Sequence, residues 1–170
     1  MQVLVISDSH GDSAIVRQLL EKYKHRVQTV VHLGDNVKDL LQFDADYPAI
    51  NFVVVAGNCD YYAHVPKDRM LTLGGRRVLL LHGHTLDVKS GLDRLMFYAQ
   101  EKGADACLFG HSHMPFMHRR EPVFSYEDEK PPGCLFMNPG SVSEPRGGSK
   151  AGYGLLSIDK GNITGELIEL

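Results

Sequence analysis

The sequence predicts an α/β fold whose sheet contains parallel strands. Short runs rich in Val, Ile and Leu recur along the chain, among them "QVLVIS", "TVVHLGD" and "INFVVVA", and read as buried strands. Segments with helical periodicity separate them, and this alternation is the pattern of α/β proteins. Most of the runs end on a polar loop carrying glycine.

"QVLVIS" is the first strand, and "DSAIVRQLLEKYKH" follows as a helix with Ile15, Leu19 and Leu20 on one face. "TVVHLGD" is the second strand and "VKDLLQF" a short helix; "INFVVVAGNCD" is the third strand. "RMLTLGGRRVLLLHGH" reads as a hairpin turning at Gly74-Gly75, then a buried strand running into His82. "SGLDRLMFYAQEKGA" is an amphipathic helix closed at Gly103, and "ACLFGHSH" is the next strand and loop. "FMHRREPVFSYEDEKPPGCLFMNPGS" has no helical period and reads as strands and turns, with the acidic "EDEK" at 127–130 a solvated turn. "GYGLLSIDKGNITGELIEL" is a terminal hairpin around Lys160-Gly161-Asn162. These late strands form a second sheet or extend the first. No linker or repeat interrupts the chain, so one domain over residues 1–170 is expected.

Hydrophobic residues make up 43% and charged residues 23% of the 170, and the net charge is −3, which leaves no basic footprint for nucleic acid. No apolar run approaches ~18 residues and the first residues lack a basic leader, so neither a membrane span nor a signal peptide is expected. Cys59, Cys107 and Cys134 lack metal-knuckle spacing and read as reduced thiols, which implies the cytoplasm.

Five strands run into loops with related polar content: Asp8-Ser9-His10, Gly34-Asp35-Asn36, Gly57-Asn58-Cys59-Asp60, His82-Gly83-His84 and Gly110-His111-Ser112-His113. In an open α/β sheet, ligands bind beyond the carboxyl ends of the strands, so neighbouring strands would gather these loops into one pocket. Singly, each has an ordinary reading: Gly-Asp and Gly-Asn are turn pairs, and Asp8 or Ser9 would cap the helix that follows. Five such loops in order are poorly explained by coincidence. Carboxylate and amide oxygens with imidazole nitrogens suit Mn, Fe, Zn or Ni, with Mg also open, and the lack of a thiolate argues against a structural zinc. Seven candidate ligands, Asp8, His10, Asp35, Asn58, His82, His111 and His113, are too many for one open catalytic ion. With one carboxylate as a bridge they suit two, a spacing of ~3.5–4 Å that clamps both oxygens of a displacement.

The order Asp-x-His, Gly-Asp, Gly-Asn, His, Gly-His-x-His resembles the signature of the calcineurin-like metallophosphoesterases. The chain length, "GNCD" and the late "NPGSVSEPR" look like the small bacterial phosphodiesterases of the YfcE type. The resemblance implies a four-layer α-β-β-α sandwich of two mixed sheets flanked by helices. It implies that Asp8, His10 and His113 hold one ion, Asn58, His82 and His111 the other, and that Asp35 bridges them. It also implies in-line attack on phosphorus by a hydroxide between the ions, with Mn2+ the favoured metal and a small phosphate ester, nucleotide-like esters included, as substrate.

Cys59 departs from the family pattern, in which many members carry a proton-donating His. Asp60 remains without that His and either donates a proton or fixes the loop; His84 either supplies the proton from another side or orients a ligand. Asn138, Ser141 and Arg146, in and after "NPGS", are substrate-side candidates through the resemblance, while His25, His32, His64 and His118 have no motif support. Other signatures fail: "GHSHM" ends in Met where a nucleophile elbow needs Gly, "GGSK" lacks phosphate-loop spacing, and no His-Glu-x-x-His occurs. The rival reading is a catalytically inactive binding scaffold of the same fold, and the late strands leave a homo-oligomer open.

Overall fold

The computed structural model describes residues 1–61, 64–121 and 133–170. Among them, β1 (Gln2–Ile6), β2 (Thr29–His32) and β3 (Asn51–Val54) run parallel. A terminal hairpin, β9 (Gly152–Asp159) and β10 (Asn162–Glu169), extends that sheet antiparallel to β1, in the order β10-β9-β1-β2-β3. In the second sheet β5 (Arg76–Leu81), β6 (Ala106–Leu108) and β8 (Cys134–Pro139) are parallel. Antiparallel edges β4 (Asp68–Leu73) and β7 (Pro115–Arg120) complete the order β4-β5-β6-β8-β7.

Strand period two explains why the runs look continuously apolar: both faces of each sheet are covered. Val3, Val5, Val31 and Val53 meet Val78, Leu80, Leu108 and Met137 between the sheets. Leu4, Ile6, Val30 and Val54 face outward onto α1 (Ser13–Tyr23) and α2 (Lys38–Leu41) through Val16, Leu19, Leu20, Tyr23 and Leu40. On the far side Leu79, Leu81, Cys107 and Phe109 pack with Leu95 and Ala99 of α3 (Asp93–Glu101). The result is the predicted α-β-β-α stack of two mixed sheets.

Both predicted hairpins form, at Gly74-Gly75 and at Lys160-Gly161. The late strands divide: β7 and β8 join the second sheet, β9 and β10 the first. Helix α1 is capped by Asp12, whose Oδ1 accepts from the Ile15 N–H at 3.1 Å, so Asp8 and Ser9 are not its caps. The "EDEK" turn lies outside the described residues. No helix among those described is long and apolar enough to cross a membrane.

Candidate metal centre

Six parallel strands from two sheets send their following loops to one place. Asp8 and His10 follow β1, Asp35 follows β2, Asn58 follows β3, His82 follows β5, and His111 and His113 follow β6. Asn138, at the end of β8, and Ser141 close the set. Ligand atoms of Asp8, His10, Asp35 and His113 lie within 4.8 Å of one another, and so do those of Asp35, His82 and His111. The two groups share Asp35.

The two carboxylates divide their oxygens in the same way. Asp8 Oδ2 accepts from Ser7 Oγ at 2.5 Å and from the His111 N–H at 3.2 Å, while Oδ1 faces His113 Nε2 at 3.2 Å. Asp35 Oδ1 accepts from the Cys59 N–H at 2.8 Å, while Oδ2 faces His82 Nε2 at 3.4 Å and His10 Nε2 at 3.7 Å. In each case one oxygen is held by the protein and the other is turned to the cluster.

The imidazoles are oriented from behind. His82 Nδ1 lies 2.7 Å from the Leu33 carbonyl and His113 Nδ1 lies 2.6 Å from the Glu144 carbonyl. A carbonyl only accepts, so Nδ1 carries the proton in both rings and the Nε2 lone pairs point inward. There His113 Nε2 stands 3.3 Å from His10 Nε2, and His82 Nε2 stands 3.2 Å from His111 Nδ1. Lone pairs converging on carboxylate oxygens at these distances require positive charge between them, either protons or metal ions. Burial opposes protonation of His82 and His113, but the nearby Asp35 and Asp8 carboxylates outweigh it and raise both pKa values. Burial also works against ionisation of the two carboxylates, yet the histidines hold both below the usual range. His111 is pushed down to about 4 by burial, by His82 and by Lys89.

Two buried oxygens identify what the cluster lacks. Among the described residues, Asp8 Oδ1 and Asn58 Oδ1 have no hydrogen-bond partner, nor does His84 Nδ1. An unsatisfied buried acceptor is costly by about 1–3 kcal/mol, and more when charged. Divalent cations on the two sides of Asp35 would satisfy these oxygens, so the residues fit the metals that their chemistry suggested.

The backbone is shaped to the same end. Asp8, His10, Asp35, His111 and His113 have φ of 54°, 45°, 62°, 68° and 59°. Each left-handed non-glycine residue costs roughly 1–3 kcal/mol and clusters of them mark functional sites. Gly57 and Gly110 allow the loops to close in: a Cβ would lie 2.1 Å from Asp35 Oδ1 at the first and 2.0 Å from Ser7 Oγ at the second.

Other sequence candidates stand around this centre. The Asp60 carboxylate accepts three backbone N–H groups, from Asp35 and Gly57 at 2.8 Å and from Val37 at 3.0 Å, and so clamps the β3 loop to the β2 loop. His84 starts a short 3-10 turn, with its ring centroid 5.4 Å from that of His82. Asn138 is enclosed, its amide N–H2 bonded to the Gly110 carbonyl and Ser112 Oγ and its oxygen to the Gly140 N–H. Ser141 is likewise buried and donates to the Asp8 carbonyl at 2.7 Å. Arg146 is exposed, its backbone N–H bonded to the His113 carbonyl at 3.2 Å. Ser7, Ser143 and His32 carried no sequence assignment: Ser7 holds Asp8, and Ser143 Oγ bonds the Ser9 carbonyl at 2.9 Å. Ser7 directly precedes Asp8, which is the one local hint; nothing local marked the other two.

Residues 1–161 match the family described as "Calcineurin-like phosphoesterase superfamily domain". The chain belongs to the calcineurin-like phosphoesterase superfamily. The chain is 32% identical over 165 residues to the probable metallophosphoesterase YsnB of Bacillus subtilis, covering 96% of this chain and 88% of YsnB. It is 29% identical over 181 aligned residues to the phosphodiesterase YfcE of Escherichia coli K12, covering 94% and 89%. Among solved structures, Vps29 of Entamoeba histolytica in complex with zinc aligns with a TM-score of 0.67 at 25% identity, covering 98% of this chain and 97% of that chain. The family resemblance read from the motifs is thereby borne out.

Proposed function

We propose that this phosphoesterase is a cytoplasmic phosphodiesterase acting through two divalent ions, with Mn2+ favoured. The observation that carries the reading is the pair of ligand groups joined at Asp35, with oxygens on Asp8 and Asn58 that have no partner among the described residues. Asp8, His10 and His113 would hold one ion, Asn58, His82 and His111 the other, and Asp35 both. When bound, such ions supply Lewis-acid stabilisation of phosphoryl charge and lower the pKa of water for in-line attack. The similarity to YfcE supports the diester preference.

The chain's own part is positioning. The Leu33 and Glu144 carbonyls fix the His82 and His113 tautomers, Asp60 anchors the Asp35 backbone, and Ser141 anchors Asp8. Arg146, whose charge is felt at His113, is the basic side chain assigned to meet a phosphate oxygen of the ester. Leaving-group protonation is the weak point of the site. Cys59 is an exposed thiol where many family members carry a proton-donating His, and with an ordinary thiol pKa of ~8.5 it is a poor acid at neutral pH. Esters with good leaving groups are therefore the expected substrates. Cys59→His should raise kcat/KM for poor leaving groups more than for good ones, read from a series of aryl methyl phosphodiesters of graded leaving-group pKa. An equal effect across the series removes Cys59 from that role.

The deciding assay is hydrolysis of bis(4-nitrophenyl) phosphate with added Mn2+, abolished by a chelator. No turnover with Mn2+, Fe2+, Zn2+, Ni2+ or Mg2+ would leave the binding-scaffold reading. Asp8→Ala and His113→Ala are each expected to lose the same ion, about one per chain by elemental analysis; a full pair in both variants refutes the ligand assignment.

A further inference from the structure

Beneath the cluster lie three enclosed polar side chains that the proposed chemistry leaves without a role, namely His32, Ser9 and Asp39. The Gly34 N–H donates to His32 Nδ1 at 3.2 Å, which leaves Nε2 as the nitrogen that carries the proton. His32 Nε2–H donates to Ser9 Oγ at 2.9 Å, and the Ser9 hydroxyl donates to Asp39 Oδ2 at 2.7 Å. The Gly11 N–H donates to the same oxygen at 2.8 Å. The direction of every link follows from a backbone donor at one end and a carboxylate at the other. The relay ties together Gly34, which precedes Asp35, and Gly11, which follows His10.

Both loops need holding. Asp8, His10, Asp35 and Asn36 all have left-handed backbones, with φ between 45° and 68°. Non-glycine residues keep that conformation only where their surroundings impose it. Ser9 sits between two of them, and its hydroxyl is the middle link of the relay.

We propose that His32, Ser9 and Asp39 are positioning residues, a buried relay that holds Asp8, His10 and Asp35 in their cluster-facing conformations and thereby sets the affinity for divalent ions. This rests on reading the cluster as a metal centre. The test is calorimetric titration of Mn2+ alone into the metal-free full chain. Ser9→Ala and Asp39→Ala are expected to weaken binding about 10- to 100-fold, the usual effect of removing an outer partner of metal ligands. Asp39→Asn keeps an acceptor for both donors and should recover most of that loss. The double variant Ser9→Ala/Asp39→Ala should bind no more weakly than the weaker single, because one broken link opens the relay.

A purely structural role would lower the melting temperature and leave Mn2+ affinity unchanged. Binding within twofold of wild type in both alanine variants overturns the proposal, as do additive losses. Should those variants fail to fold, histidine 15N NMR of the wild-type chain decides: a proton on His32 Nε2 is expected, and one on Nδ1 overturns the relay. A wild-type chain that binds none of the divalent ions overturns the metal reading as well, which distinguishes the two failures.

Discussion

Asp35→Asn is expected to abolish metal-dependent diester hydrolysis while the fold survives. The Asn side chain still offers Oδ1 to the Cys59 N–H, so the loop keeps its 2.8 Å tie. What it loses is the charge at Oδ2, the atom that faces both His10 and His82. A neutral amide bridges two cations poorly, and removing a group that stabilises developing charge lowers rates by roughly 100- to 1000-fold. Steady-state kinetics with Mn2+ together with elemental analysis would read both effects. Full metal content with activity within tenfold of wild type would defeat the bridging assignment.

Gly57→Ala should damage the site and the fold together. The added Cβ would lie 2.1 Å from Asp35 Oδ1 and 2.4 Å from the Asp35 nitrogen. The nitrogen is backbone, so relief needs the β2 and β3 loops to part, and the Asp60 clamp that joins them opposes this. Overpacking of this kind costs about 1–3 kcal/mol. In a chain of this size each kcal/mol corresponds to ~2–4 °C in Tm. Thermal unfolding and Mn2+ binding should both weaken; an unchanged Tm would show that the loops have slack that their geometry denies.

The parts of this molecule legible in its sequence are those where local pattern and local structure coincide. Apolar runs became strands because each is covered on both faces, and the Gly74-Gly75 and Lys160-Gly161 turns fell where the residues allow left-handed backbone. Candidate ligands stood out because each follows directly from a strand end. The partition of strands between sheets was not local: β1, β2 and β3 lie in one sheet and β5, β6 and β8 in the other, whereas the strand pattern alone left the late strands either forming a second sheet or extending the first.

The supports of the site were hidden for a similar reason. Ser141 meets the Asp8 carbonyl across 133 positions. His32 sits in "TVVHLGD" like any polar residue at a strand end, and its partner Ser9 is 23 residues away. Asp60 looked like a candidate acid by its place beside Cys59, yet its oxygens are occupied by three backbone N–H groups, a bonding pattern that no spacing rule announces.

Both sheets contribute candidate ligands, with His82 and Asp35 facing each other across the seam and Asp8 meeting His113 from the opposite sheet. A chelate shared in this way would act as a rivet, tying the two halves of the sandwich at one edge. Divalent-ion supply would then govern how long the folded protein lasts as well as how fast it turns over, and starvation for those ions would expose it to proteolysis.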